Sequence, residues 1–281
     1  MNAGGYSGMA ELGLQEILSL LDYQFFQFAL IGGVLVAVCC AWVGLFLILR
    51  KQSMLTDGVA HSVFGGIALG LFAGIDPLWT SLGTALVTIT GISYLRKKGL
   101  AQSDSAIAVM MALGFSGGLI LISLAGGFNV EIFSYLFGSI LTISLHDLWM
   151  VGLLVLFILF FLGLFRRELL SVTFDEEDAR LLGIPVSLLT VVFNVLVAVT
   201  IVISIKVVGI ILVTAFMVLP GLSALQFNLS FRGTTTASII IGLIGVMLGL
   251  FLSVLFDVAT SGIIVFTMAG IFLFSTVYNR S

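Results

Sequence analysis

Charge is what this chain has least of. Asp, Glu, Lys and Arg make up 9% of its 281 residues and apolar residues 60%, whereas a soluble globular domain carries roughly 25% charged residues. So few charges cannot cover a chain of this length in water. A soluble globular protein is excluded, and lipid solvates most of the molecule. Histidine and cysteine occur twice each, too few, even with Glu, to line an intramembrane metalloenzyme at helical spacing. Cys39 and Cys40 are adjacent; they cannot close an ordinary disulfide on one another and are expected to pack as small hydrophobes. No G-x-x-x-x-G-K-[ST] pattern occurs, so the chain does not hydrolyse ATP by that route. The sequence also lacks a low-complexity tract, a convincing repeat and a separate soluble domain. A basic region followed by an apolar stretch and a small-residue cleavage site is missing too, so no signal peptide is expected.

What is present is a series of apolar segments. A spanning helix needs roughly 20 residues, and nine segments approach that length: 25–49, 58–74, 77–95, 105–125, 148–165, 185–205, 207–227, 235–256 and 258–277. Residues 1–24 precede this single membrane domain of 25–281, and within them 11–21 has the apolar spacing of a helix lying on the membrane surface. Arg50, Lys51, Arg96, Lys97, Lys98, Arg166, Arg167, Arg180, Arg232 and Arg280 all follow odd-numbered segments, and Lys206 alone lies opposite. Lys and Arg accumulate in cytoplasmic loops, which places the N-terminus outside and the C-terminus inside, as an odd number of spans requires. The fold class expected is all-α and polytopic, with about nine transmembrane helices and no nucleic-acid partner.

Two connections are longer than the rest, 126–147 outside and 166–184 inside. The inside one reads as a short acidic helix over about 173–184. Thr173 and Glu176 have capping-box spacing. Asp175, Glu176, Glu177 and Asp178 complement the positive end of the helix dipole, and Arg180 follows Ala179 towards the other end. Gly183 stops the helix, with Pro185 beyond it. Such a helix suits either a plain link between spans or a docking element for a cytoplasmic partner. Gly114/Gly118 and Gly245/Gly249 have the spacing that lets helices approach closely. Gly65, Gly66 and Gly70 make the second segment short and glycine-rich, the mark of a broken or re-entrant span.

Asp57 and His61 stand at the start of that segment, four residues apart and so on one helix face. Ionisable groups at membrane depth are costly and usually mark a pathway or site. A carboxylate with an imidazole suits zinc, manganese or ferrous iron better than sodium, potassium or an organic solute. Alternatively, Asp57 caps the helix and His61 hydrogen-bonds to a neighbouring one. Two ligands bind a transition metal weakly where four make a closed site, so a metal site here demands a two-fold axis between two copies.

Several segments together resemble the membrane subunits of bacterial and archaeal ABC importers for zinc, manganese and iron. Ile48-Leu49-Arg50-Lys51-Gln52-Ser53-Met54 followed by Asp57-Gly58-Val59-Ala60-His61 is similar to that family's "LRRxSxxxDxxxH". Ser134-Tyr135-Leu136-Phe137-Gly138-Ser139-Ile140-Leu141 is similar to its "YLFGxxL", and the stretch from Asp175 to Val186 to its coupling helix, "DxxxAxxxGxxV". Lys206-Val207-Val208-Gly209 through Pro220 is similar to "KxVGxxLvxAxxxxP", and Ser261-Gly262 fits as well. One departure stands out: Phe64-Gly65-Gly66 replaces a Leu-Pro-Gly of many manganese-type members, which is closer to the zinc branch.

The resemblance implies a permease related in fold to the larger vitamin and siderophore (type II) importers, in the cell membrane of a bacterium or archaeon. It implies a homodimer, with cytoplasmic ATP-binding subunits docked on helices containing Asp175, Glu176, Glu177, Asp178, Ala179, Arg180 and Gly183. It also implies an extracellular metal-binding protein that delivers the ion to Asp57 and His61. The function expected is ATP-driven import of a divalent metal by alternating access, zinc slightly before manganese and then iron, with no tightly bound cofactor and no catalysis in this chain. The rival is an ATP-independent carrier or channel, which would need a second intramembrane cluster of ionisable groups for its coupling ion.

Overall fold

The computed structural model describes residues 22–127, 130–138 and 143–278, without the side chains of 130 and 131. The surface helix expected at 11–21 and Arg280 therefore lie outside the described residues. Within them the chain forms twelve helices and no strand: α1 Gln24–Leu49, α2 Ser53–Ala73, α3 Pro77–Lys97, α4 Ser103–Leu124, α5 Val130–Phe137, α6 Leu145–Leu164, α7 Arg166–Phe174, α8 Glu176–Leu181, α9 Val186–Val208, α10 Ile210–Leu225, α11 Phe231–Phe256 and α12 Thr260–Tyr278. Eight of these are long and apolar enough to cross a membrane. The ninth apolar helix, α10, has 16 residues, about 24 Å at 1.5 Å per residue against a hydrocarbon core of roughly 30 Å.

α1 is the spine. It is flanked by α6, α9, α10 and α11 and buries Cys39 and Cys40 completely. The two thiols are free, and they donate to Val36 O (3.3 Å) and Ser204 Oγ (3.6 Å) respectively. On one side α2, α3 and α4 form a compact trio; on the other, α10, α11 and α12 pack together. Outward-facing Leu113, Phe157, Phe160, Phe266 and Phe274 are exposed, as a surface solvated by lipid requires.

The second span differs from its expectation. α2 is an unbroken helix of 21 residues that begins at Ser53, five residues before the apolar segment, and it is neither short nor re-entrant. Its glycines serve packing instead. A side chain at Gly65 would run into the Gly114 carbonyl, one at Gly66 would come within 2.8 Å of Ser81 Cα, and one at Gly70 within 2.8 Å of Pro77 Cα. Both spaced glycine pairs work similarly: Gly114 and Gly118 seat α4 on Ser62 and Gly65, and Gly245 and Gly249 seat α11 on Met268 and Ile264.

The expected cap at Thr173 is also displaced. Thr173 lies inside α7, where its hydroxyl donates to Leu169 O (2.6 Å). Asp175 caps α8 instead, Oδ1 accepting from Glu177 N (2.8 Å) and Asp178 N (3.0 Å). A carboxylate two residues further on captures the free N–H groups directly, and the chain kinks between α7 and α8 to allow it. A true capping box occurs at the head of α6, between Ser144 and Asp147.

Candidate functional site

α2 carries Asp57 and His61 four and eight residues beyond its first residue, about 6 and 12 Å along the axis. Their neighbours are locked. Thr56, Gly58, Val59, Ala60 and Ser62 are buried, Thr56 Oγ1 donates to Met217 Sδ (3.6 Å), and Ser62 Oγ donates to Gly58 O (2.8 Å) and to Met110 O of α4 (3.0 Å). Asp57 and His61 fall on the remaining face and stay half-exposed, with His61 Nε2 3.6 Å from Asp57 Oδ1. The Phe115 ring meets the imidazole edge-on at 5.7 Å. Asp57 sits inside the helix and is not its cap, which Gln52 occupies. No hydrogen bond ties His61 to another helix among the described residues. Nor do three or more His, Cys, Asp or Glu gather anywhere among them, so one chain offers a potential metal two ligands.

The acidic helix is short but well terminated. Gly183 N donates to Arg180 O (3.0 Å) and Ile184 N to Ala179 O (3.1 Å), with Gly183 at φ 78°, the paired bonds of a Schellman end. Ala179 is buried and anchors α8 to the bundle, while Phe174, Leu181 and Leu182 are 78%, 86% and 75% exposed. Arg180 reaches Glu176 at 3.8 Å, a solvated pair that contributes little stability. The result is an apolar tip rimmed by Glu176, Glu177 and Asp178, on a segment too polar to sit in lipid.

In the sequence Arg50 stands out only as a basic residue and as part of a motif. In the structure its Nε donates to Thr173 Oγ1 (3.2 Å) and its guanidinium lies 4.5 Å from the centre of the Phe193 ring. Burial lowers its pKa from the usual range, with Glu176 opposing. Arg166 lies 5.8 Å from the ring of Phe231, so basic residues from separate loops collect at one end of the bundle.

The sequence profile of the ABC 3 transport family matches residues 22–279. This chain belongs to the ABC 3 transport family. The manganese transport system membrane protein MntC of Halalkalibacterium halodurans is 31% identical over 253 residues, which is 90% of this chain and 87% of that protein. The Haemophilus influenzae protein described as a "Probable iron transport system membrane protein" is 28% identical over 264 residues, 94% of this chain and 97% of that one. The solved structure of PsaBC from Streptococcus pneumoniae in complex with Fab matches with a TM-score of 0.84 at 31% identity, covering 93% of this chain and 95% of that chain. The molecule is thus a polytopic all-α permease of a metal ABC transporter, a transport component. Membership of an ABC family implies ATP-binding and substrate-binding partners.

At the opposite end of this ABC 3 permease, two of the sequence motifs meet. Gly138, which closes α5, and Gly209, between α9 and α10, are in backbone contact, a side chain at Gly209 falling 2.7 Å from Gly138 Cα. Lys206, one turn earlier, reaches Asp147 Oδ1 of α6 at 2.7 Å. The lone basic residue of its side is therefore paired, a partnership between chain-distant residues that no local pattern announces.

Proposed function

We propose that two copies of this ABC 3 permease import a divalent transition metal, handing it from an extracellular binding protein to the cytoplasm by ATP-driven alternating access. The observation that carries the reading is the Asp57–His61 pair, half-exposed on a helix whose flanking positions are all packed, and incomplete as a metal site in one chain. A two-fold axis beside that face doubles the set to two carboxylates and two imidazoles, donors suited to manganese, ferrous iron and zinc. Manganese and iron are the ions in the names of relatives; Phe64-Gly65-Gly66 is the residue-level reason to retain zinc. The end that carries Arg50, Arg96 and Arg166 faces the cytoplasm, with the N-terminus outside, and ATP-binding subunits dock on the apolar, acid-rimmed tip of α8.

The test is uptake into vesicles reconstituted with the partner subunits. Asp57→Ala and His61→Ala should each abolish uptake, because one substitution removes two of four ligands, while expression and ATPase association persist. Uptake by both variants at the wild-type rate would make the pair structural and leave the path without a metal site.

A further inference from the structure

The turn joining α1 to α2 is stiff. Lys51 N donates to Ile48 O (2.9 Å) and Gln52 N to Leu47 O (2.8 Å), with Lys51 in the left-handed region at φ 55°; these are the paired bonds of a Schellman end. α2 begins at Ser53, immediately after. A displacement of Arg50, the C-cap of α1, is therefore carried into the helix that bears Asp57 and His61.

Arg50 is gripped by other elements. Thr173, which accepts from its Nε, lies two residues before the Asp175 cap of α8. The Thr173 proton is committed to Leu169 O, so its lone pairs are left for the guanidinium. Phe193, under the guanidinium, belongs to α9. Arg50 Nη2 is buried without a partner among the described residues. A half-buried guanidinium with one buried nitrogen unsatisfied is costly to keep, and an apolar residue would pack the same turn more cheaply. Arginine can stack on a ring and donate in its own plane together, which lysine cannot.

We infer that Arg50 transmits movement of the α7–α8 segment to the start of α2, as a positioning residue for transport that acts through Thr173 and Phe193. The inference rests on the proposed docking of ATP-binding subunits at α8. Movement there shifts Thr173, Thr173 pulls Arg50 through a charge-assisted hydrogen bond, and the stiff turn passes the shift to Asp57 and His61.

The experiment reconstitutes wild type, Arg50→Gln, Arg50→Lys and Thr173→Val with the ATPase and binding protein, and reads ions moved per ATP hydrolysed, with manganese and zinc as probes. Arg50→Gln should lower that ratio roughly tenfold, within the 5–150-fold that coupling between sites carries, while the ATPase still co-purifies because the α8 surface is untouched. Arg50→Lys should recover only part of the ratio, since an ammonium cannot stack and fork together. Thr173→Val keeps the charge, removes the acceptor and should lower the ratio in the same direction. A merely structural Arg50 would reduce uptake and hydrolysis in a fixed proportion, and that result overturns the inference. If Arg50→Gln fails to fold, Thr173→Val decides: an unaltered ratio overturns it. A wild-type chain that recruits no ATPase at the co-purification step defeats the docking reading itself, and the transmission role with it.

Discussion

At Gly209 the backbone leaves α9 with φ 84° and ψ 165°, a region that essentially only glycine occupies. Two constraints coincide there, since the conformation excludes a side chain and Gly138 fills the space where one would project. Gly209→Ala should therefore destabilise the protein by at least about 1–3 kcal/mol, read as a lower unfolding temperature in detergent. Gly262→Ala, with open space around it, should stay within about 0.5 kcal/mol of wild type. Equal behaviour of the two would show that the Gly138–Gly209 contact carries no strain. The need for glycine at 209 is visible in the sequence only as a motif; its cause, a backbone angle plus a neighbour from another loop, is not. Arg50 and Thr173, 123 residues apart, are hidden for the same reason: tertiary partners leave no trace in local composition.

Helices were more legible than residues, because a span must satisfy its own backbone in lipid and so announces itself by length and apolarity. All nine apolar segments contain a helix. Two of the misreadings share one cause: hydropathy marks where lipid contact stops and not where the helix does. α2 runs back through Ser53-Met54-Leu55-Thr56-Asp57, too polar to register as span, and the connection 126–147 conceals α5. At α8 the acidic run marks the helix start, but capping-box spacing points to Thr173 for a cap that Asp175 makes. That geometry makes α8 a clean target. Glu176, Glu177 and Asp178 replaced by Lys, or Leu181→Asp, change exposed side chains only, so the membrane fold should survive. Docking of the ATP-binding subunit should be weakened, measured as loss of co-purification and of permease-stimulated hydrolysis. Unchanged hydrolysis and uptake would reduce the segment to a linker between α7 and α9.

At the scale of the molecule the question is whether one chain can hold the ion. Asp57 and His61 are the only His and Asp of α2, and nothing among the described residues supplies a third ligand. If the site is built across a two-fold axis, wild-type and defective copies in one membrane cannot act independently. Co-expressing the wild type with His61→Ala, each with its own tag, creates mixed pairs that hold three ligands instead of four. The loss should be dominant, since each mixed pair sequesters a good copy in a weakened site. Uptake should fall with the square of the wild-type fraction, where separate sites in separate chains would give a straight line. On the proposed topology, N-terminus outside and C-terminus inside, a direct tandem fusion would invert the second copy, so pairing is read by pulling down one tag and probing for the other. A linear dependence of uptake on the wild-type fraction, with mixed pairs present in the pull-down, would place a complete metal site in each chain and remove the shared one.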